Sequence, residues 1–154
     1  MVKNKSSSGK RIGITADHGG FELKTKLLAT FKDAEYDLVD FGDVYFDKND
    51  NYPDFVAPIA IAVANGDLIR GIAVCCSDVG PCIAANKVHG IHAALITDPS
   101  SAHLRAEDED MSFFCLCGNV TGYNLALELV ILFLNASYKH TERYLRRLEK
   151  VSML

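Results

Sequence analysis

The stretch AVCCSDVGPCIAANK, residues 73–87, sets two adjacent thiols where an apolar run meets a turn of small residues. Four chemistries suit that address: packing, metal ligation, a redox pair, or a base or nucleophile. Zinc needs thiolates and imidazoles converging at tetrahedral spacing, yet Cys75, Cys76 and Cys82 offer no CxxC pair. Cys115 and Cys117 alternate along one apolar run and, like Cys82, read as small buried residues. Disulfide geometry disfavours a bridge between neighbours such as Cys75 and Cys76. A phosphatase-type loop needs an arginine after Cys and five residues, but that position holds Pro81 counting from Cys75 and Cys82 counting from Cys76. Cys75 itself stays open between packing and chemistry. It ends an apolar run just ahead of a helix start, where free N–H groups and the helix dipole favour an anion and can lower a thiol pKa. Ser77 is placed to cap that helix and to donate to a substrate oxygen.

Two other places carry reactive groups. Asp17 and His18 follow the first apolar run and precede Gly19 and Gly20, either as a helix cap beside an exposed imidazole or as part of a ligand site. In KHTERYLRRLEK, Arg143 and Arg147 are four apart and share a helix face, a spacing able to grip one phosphate. Arg146 points elsewhere and reads as solvated surface. No GxGxxG follows the first run and no GxxxxGK[ST] occurs, so the usual dinucleotide and P-loop signatures are absent.

The elements that must position these groups alternate. Residues 11–16, 36–41, 69–75, 90–97 and 113–117 read as strands. Helices are expected after Gly20, from Asp54 to a stop at Asn65–Gly66, through CIAANK, and from Asp98-Pro99-Ser100, with two more at the end. Pro58 is expected in the first turns of its helix, where proline is tolerated. Five apolar strands interleaved with helices predict an α/β fold, a three-layer Rossmann-like, doubly wound arrangement around a five-stranded parallel sheet. Ligands in such folds gather at the carboxyl ends of the strands. That rule selects Asp17–Gly20, Cys75–Gly80, Asp98 and Cys117–Asn119.

At 154 residues, the chain suits one domain, expected over 11–154 behind a flexible tail at 1–10. A net charge of −4 with no basic block argues against nucleic acid as the partner. The apolar stretch at 125–134 contains Glu128 and is far shorter than the roughly 20 residues a membrane span requires. Five cysteines without an apolar leader point to reduced thiols and a cytoplasmic setting.

The segments ADHGGFELK (16–24), NYPDFV (51–56), CCSDVGPCIAANK (75–87), CLCGNVTG (115–122) and RYLRRLEKV (143–151) together resemble one family. It is the sugar-phosphate isomerases that include type B ribose-5-phosphate isomerase and the galactose-6-phosphate isomerase subunits. The resemblance runs from about residue 11 to 151. It implies interconversion of ribose 5-phosphate and ribulose 5-phosphate, a step of the pentose phosphate pathway, through an enediolate and with no metal or organic cofactor. It also implies a homodimer, or a dimer of dimers, with the active site at the subunit interface. Cys75 matches the base of the family's cysteine branch, because the glutamate branch would place its base at Pro81. The resemblance further sets Ser77 and the backbone of Cys76, Asp78, Val79 and Gly80 around the enediolate oxygens. Asp17 and His18 would contact sugar hydroxyls and phosphate, Tyr52 would shape the pocket, and Arg143 and Arg147 would hold the phosphate.

Some positions depart from the pattern. Asp108-Glu109-Asp110 replaces the usual His-Asn-Asp, in which the histidine opens the sugar ring and the asparagine binds the enediolate side. Asp108 would need a raised pKa, from burial or crowding by like charge, to donate a proton. Asn119 stands for a phosphate-binding arginine, and Asp78 for a glycine. In relatives, positions 108, 109 and 119 reach the pocket from the neighbouring subunit. These changes keep open a different preferred sugar phosphate, or a non-catalytic sugar-phosphate-binding relative.

Overall fold

The computed structural model describes residues 10–76 and 79–154. Ser77 and Asp78 therefore lie outside the described residues, as does the expected tail except for Lys10, which opens the first strand. In chain order the elements are β1 (Lys10–Ala16), α1 (Phe21–Phe31), β2 (Tyr36–Asp40), α2 (Tyr52–Ala64), β3 (Arg70–Cys75), α3 (Val79–Asn86), β4 (Ala93–Leu95), α4 (Pro99–Asp108), β5 (Phe113–Cys117), α5 (Tyr123–Asn135) and α6 (Glu142–Ser152). The strands form one parallel sheet in the order β2-β1-β3-β5-β4. That is the expected α/β architecture. The winding direction reverses between β1 and β3, which puts a crevice at their carboxyl ends.

Alternation along the buried strands feeds two cores. Ile12, Ile14, Ile72, Val74, Phe114 and Leu116 pack with α1, α4 and α5. Ala73, Cys75, Phe113 and Cys115 face the other way, with Val56, Ile59 and Ala60 of α2 and Ala85 of α3. Side chains of successive strand residues leave opposite faces, so strands apolar on both faces must be covered by helices on both. Helix α2 sits close to its face because two strand positions are glycine. A Cβ on Gly71 would come within 2.6 Å of the Phe113 ring and 2.7 Å of Ile59.

Two boundaries differ from expectation. The fourth strand is only Ala93–Leu95 rather than 90–97, since Gly90 takes a left-handed φ of 84° and turns the chain. Here the Asn86 side chain accepts from Ala93 N and donates to Ala93 O, both at 2.8 Å, standing in for a further strand along this sheet edge. Pro58 lies well inside α2, which begins at Tyr52, and its missing N–H falls on the exposed side of the helix. The Asn65–Gly66 stop is as expected: Gly66 takes a φ of 81°, and its N–H donates to Val63 O.

Candidate active site

The turn from β1 into α1 is pressed onto the end of β3. A Cβ on Gly20 would lie 1.8 Å from Val74 O, and one on Gly19 2.0 Å from Cys76 Sγ, so only glycine fits either place. Asp17 is buried and ties the two strand ends together. Its Oδ1 accepts from Gly19 N at 2.9 Å and Gly20 N at 3.2 Å, and its Oδ2 accepts from Cys76 N at 3.3 Å. The Cys76 N–H, expected at a substrate oxygen, is thus directed to Asp17. Cys76 O accepts from the Cys117 thiol at 2.8 Å, which gives Cys117 a positioning contact beyond packing.

His18 projects over this junction. Its Nδ1 lies 2.8 Å from Asp50 Oδ1 and its Nε2 3.5 Å from Cys76 Sγ. The bond to Asp50 raises the imidazole pKa, and the charges of Asp50, Asp17 and Asp47 add to it. Sequence reasoning left Asp50 in an undifferentiated polar loop, and no spacing there marks it as the partner of a residue 32 positions earlier.

Cys75 ends β3 on the α2 side of the sheet and is 1% exposed. Burial and the nearby Asp17 charge push its thiol from 9.0 up to about 12. Within the single chain the expected thiolate is therefore a neutral thiol. Tyr52, at the start of α2, lies against the start of α3, where a Cβ on Gly80 would be 2.7 Å from its ring. Tyr52, Val79 and Gly80 so sit at the same carboxyl edge as Cys75. Asn119 is there too, on a cleft with Gly19 and Gly118, with its side chain against the Cys76 sulfur.

The remaining residues occupy the other edge. Asp108 is half-buried at the end of α4 and Glu109 is exposed just after it, both ahead of the first residue of β5. Lys139 N donates to Glu107 O at 2.8 Å, and Lys139 Nζ pairs with Glu107 at 2.6 Å, anchoring the segment before α6 to the same edge. At its far end, Val151, Ser152 and Leu154 line a cleft with residues 86–92, which precede β4. Arg143 and Arg147 are exposed on this helix, and α6 buries none of its residues. Strands of five to seven residues separate the two edges by on the order of 15–20 Å. The arginines expected in the same pocket as Cys75 are thus on the opposite side of their own chain.

Asp17, His18 and Cys76 are the described residues whose ligand atoms come within 4.8 Å of one another as a cluster able to hold a metal. No helix among the described residues is long and apolar enough to cross a membrane.

A family model described as Ribose/Galactose Isomerase matches residues 12–151. A probable ribose-5-phosphate isomerase B of Mycoplasma genitalium is 36% identical over 141 residues, 91% of this chain and 92% of the relative. Among solved structures, the Clostridium thermocellum ribose-5-phosphate isomerase B is 37% identical with a TM-score of 0.87, covering 93% of this chain and 95% of that one. The Mycoplasma genitalium enzyme with bound ribulose-5-phosphate is 35% identical with a TM-score of 0.86, over 93% and 94%.

Proposed function

The chain belongs to the ribose/galactose isomerase family of aldose–ketose isomerases, and from that premise we propose that it interconverts ribose 5-phosphate and ribulose 5-phosphate as a homodimer with shared sites. One observation carries the reading. The chain matches, over 93% of its length, a relative that holds ribulose-5-phosphate, and it gathers Asp17, His18 and Cys75 at the carboxyl edge where that fold binds ligands. Residues 11–154 act as one domain.

The Cys75 thiolate takes the proton from C2 of the open aldose, leaving an enediolate, and returns it to C1. The barrier lies in that carbanion-like state, so the base and the donors around its oxygens supply most of the acceleration. Asp17 holds the strand ends in register, while His18, oriented by Asp50, which also raises its pKa, meets sugar hydroxyl or phosphate. The backbone of Val79 and Gly80 borders the enediolate, and Tyr52 closes the pocket.

A second copy resolves what one chain leaves incomplete. A thiol held near 12 is a poor base, and in one chain the phosphate-gripping arginines lie at the wrong edge. Two copies related by a two-fold axis set the carboxyl edge of one against the opposite edge of the other, twice. Each site then receives Arg143 and Arg147, with Asp108 and Glu109, from its neighbour; the two guanidinium groups lower the Cys75 pKa, and the two carboxylates oppose them. Exposed apolar residues on α3 and β4, Val79, Ile83 and Leu95, supply contact area for such an assembly.

The acidic Asp108 and Glu109 favour one alternative, a protein that binds sugar phosphate, or isomerises another one, without opening the ribose ring. A coupled assay on ribose 5-phosphate decides. Turnover abolished by Cys75→Ala supports the isomerase, whereas ligand-induced stabilisation with no turnover of any pentose or hexose phosphate supports the binding protein.

A further inference from the structure

We propose that Asp17, His18 and Cys76 form a binding site for a zinc-class divalent cation at the mouth of the pocket. The three ligand atoms lie within 4.8 Å of one another. With Zn–N near 2.05 Å and Zn–S near 2.3 Å at a tetrahedral angle, imidazole nitrogen and thiolate sulfur should be about 3.6 Å apart. The His18 Nε2 to Cys76 Sγ distance is 3.5 Å. Sulfur, imidazole and carboxylate together select zinc over magnesium or calcium.

The surroundings fit as well as the ligands. Asp50 accepts from His18 Nδ1 at 2.8 Å, which puts the neutral ring's proton on Nδ1 and leaves the Nε2 lone pair facing the sulfur. A carboxylate behind a histidine in this way orients metal-bound imidazoles generally. Asp17 is itself fixed by three backbone N–H groups. Asp47 and Asp50 add negative charge beside the cluster. A bound cation deprotonates a coordinating thiol outright. The fourth position stays open to water.

The binding itself is independent of the proposed isomerisation. Its consequence, that a filled site withdraws Asp17 and His18 from the sugar, rests on that reading. Titration of the full chain with Co2+ under reducing conditions should give one equivalent with a thiolate-to-cobalt absorption band, displaced by Zn2+. Cys76→Ser should lose the band and bind Co2+ more than about 100-fold more weakly, and Asp50→Asn should weaken binding by about 10- to 100-fold with the band kept. Circular dichroism of each variant shows whether it is folded. A wild-type chain that gives no saturable band, or a band undiminished in folded Cys76→Ser, overturns the proposal. Because this readout involves no turnover, a chain that binds cobalt but does not isomerise ribose 5-phosphate overturns the function reading and leaves the metal site standing.

Discussion

The two edges of the sheet are built in opposite ways. At the carboxyl edge, Asp17, the glycines beside it, Cys76 and Cys117 are locked by short backbone and side-chain hydrogen bonds with little room to move. At the other edge, Arg143 and Arg147 stand on a helix that buries nothing. A rigid half that orients reacting atoms and an unpartnered half that carries charge make sense together only when two copies complete each other. The rigid half is tied together within one chain, by residues as far apart in sequence as Asp17, Cys76 and Cys117, and the cationic half depends on assembly.

The sharpest test of that contrast is Cys75→Ala, expected to lower kcat by about 10³- to 10⁴-fold with the fold intact, read by coupled assay. Mixing this variant with Arg143→Ala/Arg147→Ala, itself nearly inactive, should restore about a quarter of wild-type activity after subunit exchange, since half the dimers are mixed and each carries one intact site. No recovery would mean that both halves of a site come from one chain.

A second pair of variants compares the stability of the two edges. Lys24 is 1% exposed, and its ammonium donates to both Asp40 oxygens, at 2.9 and 3.0 Å, and to Asp43 O at 3.0 Å. Asp40 stays hydrated and keeps its bond from Gly42 N, so Lys24→Met should cost less than a fully buried pair would, about 1–2 kcal/mol in urea denaturation. The Arg143→Ala change, on an exposed helix, should leave the same measurement within about 0.5 kcal/mol.

The smallest effect concerns pH. Because folding raises the Cys75 pKa to about 12, the folded chain favours the protonated thiol. That contribution is complete below the unfolded thiol's pKa and is lost as pH rises from there toward 12. Wild-type thermal stability should therefore fall more steeply from pH 8 to 10 than that of Cys75→Ala; a parallel decline would show an unshifted thiol, and a shallower one a thiol already ionised by its neighbour's arginines.

Much of this was legible in the residues. The Asp17–Gly20 turn, the end of β3 and the Asn65–Gly66 stop follow from local chemistry, and the structure has them there. Strand β4 was read too long because Ile91 and His92 look as strand-like as Ala93, and only the backbone turn at Gly90 separates them. The four-residue spacing of Arg143 and Arg147 shows a shared face but not which edge of the sheet that face meets, since position there is set by Lys139 and Glu107. Asp50 was invisible for a like reason: a loop carboxylate acquires a role only from what the fold brings beside it.

The Asn86 side chain answers both backbone groups of Ala93 and so occupies the place of a fresh strand on that border of the sheet. Recruitment of foreign peptide by ladder extension is blocked there. Copies of this chain that associate at β4 must do so through side chains and helices, which keeps partner choice with shape and charge rather than with main chain that every protein shares.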